Sequence, residues 1–392
     1  MKSKDVFKTL QQRGYIFQTS NETGLRNALR KKVTLYQGFD PSSESLHLGH
    51  FLSIMMLHHL QEAGHAVIFL LGGGTGRVGD PTGKSTSRSQ LTKKTVEQNA
   101  QAIKKQVEAM GLLKFHGTNA AIMVNNDEWL SKFSFLEDFL MKIARHFSVN
   151  EMVGMRTFDE RFKAGKPLSL LEFCYPVLQA WDFLELHKRH KCILQIGGQD
   201  QWANILQGVE LIRKELNGTE VFALTHPLLT TPDGVKMGKT EKGPVWLDSK
   251  KTTPFEFYQY LIKTPDSMVP NMLRLFTFLP LEEIDLIIKN PKQAQERLAY
   301  EVTKIVHGEE AAIQASGGES IPVLKIKPQG ILLEDALVTS KCLPSKSEVW
   351  RRVAGSAVSI NDEKVTDSKL RIKTPCLIKY GKGKLLRIEL TN

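Results

Sequence analysis

The sequence predicts an α/β protein: a Rossmann-like catalytic domain with a parallel sheet, then a helical domain and a small basic α+β domain. Three observations support this prediction. Strand-like and helix-like segments alternate up to residue 250, which is the pattern of βαβ units. Helical patterns alone follow from residue 254 to 314, and the segment 341–392 holds twelve basic against five acidic residues.

The elements of the sheet can be assigned in chain order. A strand-like run at 33–36 precedes a helical pattern at 47–63, which a buried-strand run at 66–71 follows. A helical pattern at 98–110 leads to a strand at 120–124. Helices at 170–186 and 200–216 then flank a strand at 192–196. Because parallel strands end at one edge of a sheet, we expect the site at their carboxyl ends.

The rest of the chain is expected to form two further domains. Helical patterns at 255–262, 272–278, 281–288 and 294–306 are followed by a small, polar, glycine-rich stretch at 315–320, the best linker candidate. The last segment contains a basic helix, a glycine turn, a strand and a hairpin turn at 362–365. We therefore predict a catalytic domain at 1–250, a helical domain at 251–320 and a C-terminal domain at 331–392.

The composition limits the class of protein. Apolar residues make up 41% of the chain, enough for a sizeable core, so a disordered chain is excluded. The net charge of +11 favours a polyanionic partner such as nucleic acid. Four distant cysteines without metal-ligand spacing are typical of a reducing compartment. No signal peptide or membrane-spanning apolar run is visible, so we expect a cytoplasmic protein without a membrane partner.

A glycine-rich stretch follows the strand at 66–71. Gly74–Gly79 matches the pattern of nicotinamide dinucleotide sites, but Asp80-Pro81 would break the helix that this pattern should open. No acidic residue ends a second strand about twenty residues later, as that pattern requires. A P-loop also fails, because position 78 is valine. Asp80 and Lys84 beside a strand end still favour a ligand-binding loop, with the role of Lys84 left open.

Two short segments contain side chains that suit a triphosphate. His47-Leu48-Gly49-His50 follows Ser42 at a strand-to-helix junction, where two histidines add donors to those of the helix N-terminus. Lys236 and Lys239 flank a glycine farther along the chain. Each pattern taken alone is more often an ordinary surface feature.

Together, these segments resemble those of the class I aminoacyl-tRNA synthetases, where they are usually written HIGH and KMSKS. This chain differs from those patterns at Leu48, Gly238 and Thr240. The resemblance implies that charge on the departing pyrophosphate is stabilised by positioned side chains and not through a covalent intermediate. The residues implied in this role are Ser42, His47, His50, Lys236 and Lys239.

A helical face indicates which amino acid is bound. Tyr175, Gln179 and Asp182 are spaced by four and three residues, so a phenol, an amide and a carboxylate share one face. A solvated surface would explain the same spacing. Pro176, however, is expected to kink or loosen the helix beside Tyr175, which fits a site better. Tyr36 ends the first strand, and polar residues follow the strand at 192–196.

This set closely resembles the tyrosyl-tRNA synthetases of bacteria over essentially the whole chain. The segments that carry the resemblance are 35–41, 74–84, 175–183, 194–202 and 236–240. It implies that Tyr36 and Asp182 hydrogen-bond the phenol of the substrate. The ammonium group would be held by Tyr175, Asp80 and Gln179, with Gln201 near the carboxyl group. The residues implied at ATP and the adenylate are Gly38, Asp40, Gly49, Gly198, Asp200 and Lys239.

The segment 349–361 resembles the S4 RNA-binding domain found at the C-terminus of this family. Lys346, Arg351 and Arg352 would then contact phosphates, with salt-dependent affinity. A basic domain that binds no RNA is the alternative, and the concentration of charge in this segment weighs against it.

The family resemblance implies a ligase that forms tyrosyl-adenylate from tyrosine and ATP and transfers the tyrosyl group to tRNA(Tyr). It also implies a homodimer, no tightly bound cofactor, and Mg²⁺ that accompanies ATP, although no metal-ligand cluster is visible. A tryptophan-specific relative should lack the Tyr36 and Asp182 pair. An oxidoreductase would not explain 236–240, and a non-enzymatic RNA-binding protein would not explain the ATP segments.

Overall fold

The computed structural model describes residues 5–82, 91–230, 237–240, 243–317, 322–361, 363–381 and 384–391, without the side chains of Lys239 and Thr240. Backbone contacts divide the chain into two compact units, Met1–Val306 and His307–Asn392. The limits of the three predicted domains stay a prediction.

The first unit is built on a mixed sheet, which confirms the predicted α/β fold. Its strands are β1 Gln18–Thr19, β2 Thr34–Phe39, β3 Ala66–Leu71, β4 Ile122–Asn125, β5 Cys192–Gly198 and β6 Phe222–His226. Within the described ranges, the order is β1-β6-β5-β2-β3-β4. Neighbouring strands are parallel except β1, which pairs antiparallel with β6. A short antiparallel pair, β7 Lys239–Thr240 and β8 Gly243–Pro244, lies outside this sheet.

Helices cover the sheet and follow it along the chain. They are α1 Val6–Arg13, α2 Glu22–Ala28, α3 Leu48–Glu62, α4 Thr75–Val78, α5 Lys93–Met110, α6 Asp127–Leu130, α7 Val149–Val153, α8 Arg156–Lys163, α9 Leu170–Phe173, α10 Tyr175–His190, α11 Trp202–Glu215, α12 Pro254–Leu261, α13 Val269–Phe276, α14 Leu281–Ile287 and α15 Pro291–His307. A π-helix spans Phe135–Ile143, and 3₁₀ turns span Ala144–His146 and Gln199–Gln201.

The strand order places a crevice between β2 and β5. From this pair, β3 and β4 extend in one direction and β6 in the other. Such a reversal opens a gap at the carboxyl ends of the two central strands, where ligands of parallel sheets bind. The predicted site segments follow β2, β3 and β5 and therefore lie at this edge of the sheet.

The helix that carries Asp182 differs from the prediction of one continuous helix at 170–186. Cys174 separates α9 from α10, and Pro176 lies in the first turn of α10. In that turn the backbone N–H has no partner within the helix, which suits proline. The helical segment is thus interrupted at Cys174, beside Tyr175, where an effect of Pro176 was expected.

The glycine-rich stretch after β3 forms only one helical turn, α4, which ends at Gly79 with φ +85°. A dinucleotide site needs this stretch to open a full helix, so the rejection of that interpretation is supported. Residues 83–90, and with them Lys84, lie outside the described residues.

The second unit is a small α+β structure with its own core. Its elements are α16 Glu309–Ala315, β9 Val323–Ile326, β10 Ile331–Leu332, α17 Leu333–Thr339, α18 Lys346–Ala354, β11 Ser359–Ile360, β12 Glu363–Lys364, β13 Arg371–Ile372, β14 Cys376–Lys379 and β15 Leu385–Leu390. One face of α18 is buried through Val349 and Val353 against Ile378 and Leu386. The turn expected at 362–365 differs from the structure, because Glu363–Lys364 form strand β12, which pairs antiparallel with β11. None of the helices described in the chain has the length and apolarity needed to cross a membrane.

Candidate active site

One cavity of about 360 Å³ at the carboxyl ends of the central strands collects the predicted residues. Lys236 lies outside the described residues, and Lys239 is described only by its backbone. Every other residue predicted for the tyrosine, ATP or catalytic sites contributes to the cavity wall. These are Tyr36, Gly38, Asp40, Ser42, His47, Gly49, His50, Asp80, Tyr175, Gln179, Asp182, Gly198, Asp200 and Gln201.

Asp182 lies at the buried end of this cavity and is held by two N–H donors. Asn126 Nδ2 donates to one carboxylate oxygen at 2.8 Å, and Trp129 Nε1 donates to the other at 2.9 Å. Burial raises the pKa of the Asp182 carboxyl to about 8, whereas the hydrogen bonds from Asn126 and Trp129 lower it. The two N–H donors therefore fix the position of the carboxyl group, which can accept a further hydrogen bond from a ligand in its ionised form.

The hydroxyl of Tyr36 faces this region without a protein partner. Within the described residues, Tyr36 Oη is buried and makes no hydrogen bond. Burial raises the pKa of this phenol, and the nearby Asp182 raises it further, so the hydroxyl keeps its proton. A buried polar atom without a partner is costly, which favours a ligand that supplies one.

Two carboxylates join the neighbouring parts of the site. Tyr175 Oη donates to Asp40 Oδ2 at 2.8 Å, and Thr75 Oγ1 donates to Asp40 Oδ1 at 2.7 Å. Gln201 Nε2 donates to Asp80 Oδ2 at 2.7 Å. Tyr175 and Asp40 were predicted for different ligands, and this contact brings the two predicted sets of residues together.

The two histidines form a capped first turn of α3. Gly49 N–H donates to His47 Nδ1 at 3.1 Å, and His47 N–H donates to His50 Nδ1 at 3.2 Å. The rings are stacked with their centroids 3.8 Å apart. These reciprocal bonds hold both imidazoles at the mouth of the helix N-terminus, where anions are favoured.

The segment after β7 packs on this same turn. Leu48 N–H donates to Val245 O at 2.9 Å, and His47 forms an isolated antiparallel bridge with Trp246. Met237 and Gly238 also line the cavity. The two segments that carry the class I resemblance are thus adjacent in the structure.

Sequence reasoning missed a chain of hydrogen bonds in the cavity wall. Gln37 Nε2 lies 2.7 Å from Ser53 Oγ, which lies 2.9 Å from His226 Nε2; His226 Nδ1 lies 3.1 Å from Pro227 O. A carbonyl can only accept, so His226 Nδ1 carries the proton and Nε2 accepts from Ser53. Burial lowers the pKa of His226, which keeps the ring neutral.

The direction of this chain sets the orientation of the Gln37 amide. Because Ser53 donates to His226, its oxygen accepts from Gln37 Nε2, and Gln37 Oε1 remains as an acceptor. Gln37 lines the cavity, and its Oε1 is buried without a partner in the described part of the chain. Asn126, Trp129, Ser53 and His226 carry no local signal in the sequence, because each acts through a residue distant along the chain.

The basic residues predicted to bind RNA lie on or beside α18 and are paired within the second unit. Lys346 Nζ lies 3.2 Å from Glu334 and 2.5 Å from Asp335. Arg351 and Arg352 both contact Glu348, each at 3.0 Å. Lys346 and Arg351 are exposed, so their pairs contribute little to stability and phosphates can compete for these side chains. Arg352 is half-buried and also donates to Tyr380 O at 2.7 Å. RNA binding stays a prediction.

Comparison with known proteins is consistent with this geometry. Residues 28–317 match the family model of class I tRNA synthetases (W and Y), and residues 313–379 match the tyrosine–tRNA ligase SYY-like C-terminal domain. A tyrosine–tRNA ligase of Acetivibrio thermocellus is 44% identical over 92% of this chain and 91% of its own length. One of Clostridium kluyveri is also 44% identical, over 98% of this chain and 99% of its own.

A solved structure shows the same arrangement of elements. A C-terminally truncated mitochondrial tyrosyl-tRNA synthetase of Aspergillus nidulans covers 80% of this chain and 93% of its own, with a TM-score of 0.71 and 32% identity. The match in sequence over nearly the full length and the match in fold agree. The chain therefore belongs to the tyrosine–tRNA ligase family of the class I tRNA synthetases.

Proposed function

We propose that this chain activates L-tyrosine with ATP and transfers the tyrosyl group to tRNA(Tyr). One observation supports this proposal: Tyr36 and Asp182 line the same cavity as His47 and His50 at the start of α3. The test is exchange of labelled pyrophosphate into ATP without tRNA. Exchange should depend on tyrosine. Exchange that depends on tryptophan, or no exchange with any amino acid, would contradict the proposal.

The chemistry follows from the order of the subsites. A tyrosine carboxylate oxygen attacks the α-phosphorus of ATP, and the bond to the pyrophosphate oxygen breaks. In the second step a ribose hydroxyl at the 3′ end of tRNA attacks the acyl carbon, and AMP leaves. Both steps depend on positioning and on stabilising developing charge. We assign this charge stabilisation to His47, His50 and Ser42 together with Lys236 and Lys239.

The substrate phenol would complete the buried end of the cavity. Its O–H would donate to Asp182, and its oxygen would accept from the Tyr36 hydroxyl. Phenylalanine would leave the Tyr36 hydroxyl without a partner, at a desolvation cost of about 1–3 kcal/mol, and Asp182 would keep only its bonds from Asn126 and Trp129. Tyr175, Asp80 and Gln179 would hold the ammonium group, and Gln201 would lie near the carboxyl group.

The nucleotide would occupy the side of the cavity that faces α3. We assign its contacts to Gly38, Asp40 and Gly49, and the ribose of the adenylate to Gly198 and Asp200. Mg²⁺ is proposed to arrive with the phosphates, as it does in many phosphoryl-transfer sites. In the residues that the structure describes, no cluster of three or more metal-ligating side chains is found, and Asp40 and Asp80 already accept hydrogen bonds from Tyr175 and Gln201.

Gln37 provides a prediction for ribose recognition. Its amide oxygen should accept from a ribose hydroxyl of ATP, because the Ser53 and His226 chain leaves that oxygen without a partner. Gln37→Met should lower kcat/KM for ATP by ~2- to 12-fold, the loss of one neutral hydrogen bond. The variant should also discriminate less between ATP and whichever of 2′-deoxy-ATP and 3′-deoxy-ATP lacks that hydroxyl. An unchanged preference for ATP over both analogues would contradict this contact.

The C-terminal unit provides a prediction for tRNA. We propose that residues 331–392 bind RNA through Lys346, Arg351 and Arg352, while residues 1–250 carry out catalysis and 251–320 form a helical domain on the anticodon side. A chain that ends at Gly317 should keep tyrosine-dependent pyrophosphate exchange and lose tRNA charging at moderate salt, because phosphate contacts dominate such affinity. The two rates, measured on one preparation, check this; charging at the full-length rate would contradict it.

The assembly and the location of the protein are part of the same proposal. Exposed apolar side chains are frequent between residues 135 and 171: Phe135, Leu136, Met141, Val149, Phe162, Leu170 and Leu171. Contiguous exposed apolar side chains are typical of protein interfaces. We propose that these side chains form the interface of a homodimer. Sedimentation of the purified chain measures its oligomeric state. We also propose that the enzyme acts in the cytoplasm, where tRNA is charged.

A further inference from the structure

The backbone of Gly238 is held by a hydroxyl group from a later helix. Gly238 N–H donates to Tyr260 Oη at 2.9 Å, and Gly238 O accepts from Val245 N–H at 2.8 Å. Gly238 is buried, and Tyr260 is half-buried on α12. Both polar groups of this position are therefore satisfied, one of them by a single side-chain atom.

The same backbone rests on the first turn of α3. A Cβ atom on Gly238 would lie 3.4 Å from Gly49 N and 3.5 Å from Leu48 Cβ, and its φ is +85°, a value that favours glycine. Val245, the partner of the Gly238 carbonyl, accepts in turn from Leu48 N–H at 2.9 Å. Hydrogen bonds thus connect Tyr260 through Gly238 and Val245 to Leu48 in the first turn of α3.

A second hydroxyl from the same part of the chain holds the returning segment. Trp246 N–H donates to Thr252 Oγ1 at 3.0 Å, just before Thr253 caps α12. Gly238 and Trp246 are therefore both tied to residues 252–260. Thr252, just before α12, and Tyr260, near the end of α12, thus support the segment that packs on α3.

We infer that Tyr260 is a positioning residue for the activation step, an inference that rests on the proposed function. Tyr260 accepts from the N–H of the peptide that joins Met237 to Gly238, and Gly238 directly precedes Lys239, so this bond helps to set the direction in which the chain enters β7. The Tyr260 hydroxyl fixes that peptide against α3. It acts through the backbone and requires no contact with the substrate.

The test removes only the oxygen atom, in the full-length enzyme. Tyr260→Phe keeps the ring and its packing and should lower kcat of tyrosine-dependent pyrophosphate exchange by ~2- to 12-fold, the loss of one hydrogen bond. KM for tyrosine and the thermal midpoint should stay at the wild-type values. Tyr258→Phe, which removes a buried hydroxyl two residues earlier on α12, is the matched control and should change neither kcat nor KM.

A double-mutant cycle shows whether the effect of Tyr260→Phe on the rate depends on the Lys239 side chain. In a Lys239→Ala background, Tyr260→Phe should cause no further loss of single-turnover rate, because the positioned side chain is already missing. An equal fold-loss in both backgrounds, an unchanged kcat for Tyr260→Phe, or a parallel rise in KM for tyrosine would overturn the inference. Absence of exchange in the wild-type enzyme would instead contradict the proposed function.

Discussion

Asp182→Ala should lower kcat/KM for tyrosine by ~10²-fold and abolish most of the preference for tyrosine over phenylalanine. The variant removes a charged acceptor, a contribution of about 1.5–3 kcal/mol, and leaves the N–H groups of Asn126 and Trp129 without their buried partner. Tyr36→Phe removes one neutral hydrogen bond and should reduce the preference only ~2- to 12-fold. The measurement is kcat/KM for each amino acid in pyrophosphate exchange.

A matched control separates recognition from helix stability. Glu185→Ala removes a carboxylate three residues later on α10, where it pairs with Arg189 at the surface. This variant should keep the wild-type ratio of tyrosine to phenylalanine. If Asp182→Ala and Tyr36→Phe also kept that ratio, the phenol would not be recognised at this position. That result would leave the ligase activity itself untouched, because pyrophosphate exchange tests it separately.

The raised pKa of Asp182 adds a pH dependence to tyrosine binding. Burial raises the pKa of this carboxyl to about 8, and the phenol O–H donates best to the ionised form. Below pH 8, binding should therefore release a proton, and affinity should increase as the pH rises from 6 to 8. Binding titrations at several pH values measure this slope, which should vanish in Asp182→Ala.

Lys239→Ala should slow adenylate formation by ~10²- to 10³-fold, because removing one positioned donor to developing charge typically costs this much. Tyrosine should still bind normally, since the phenol and ammonium contacts lie elsewhere in the cavity. Single-turnover rates measure the first effect and equilibrium binding the second. Lys263→Ala removes an exposed lysine after α12 and is the charge-matched control. A normal single-turnover rate in Lys239→Ala would exclude the proposed role.

Local patterns in the sequence determined the elements that form the walls of the site. The run of apolar residues at 66–71 coincides with β3, and the helical pattern at 255–262 differs from α12 by one residue at each end. Side-chain periodicity depends on the chain's own backbone geometry, so it is visible without any knowledge of tertiary contacts. The same applies to the location of Asp40 directly after β2 and of Gly198 at the end of β5, which followed from βαβ alternation.

Hydrogen-bond partners were decided only by the tertiary structure. Asn126 and Trp129 precede Asp182 by 56 and 53 residues, and Ser53 and His226 are 173 residues apart, so no spacing rule connects them. Pro176 shows the same limit at short range, because its effect depended on whether a helix began or continued at Tyr175. Periodicity within one element assigns residues to a face. Which donor meets which acceptor depends on how distant elements pack. Because these groups are buried, leaving one of them unpaired would cost free energy of folding.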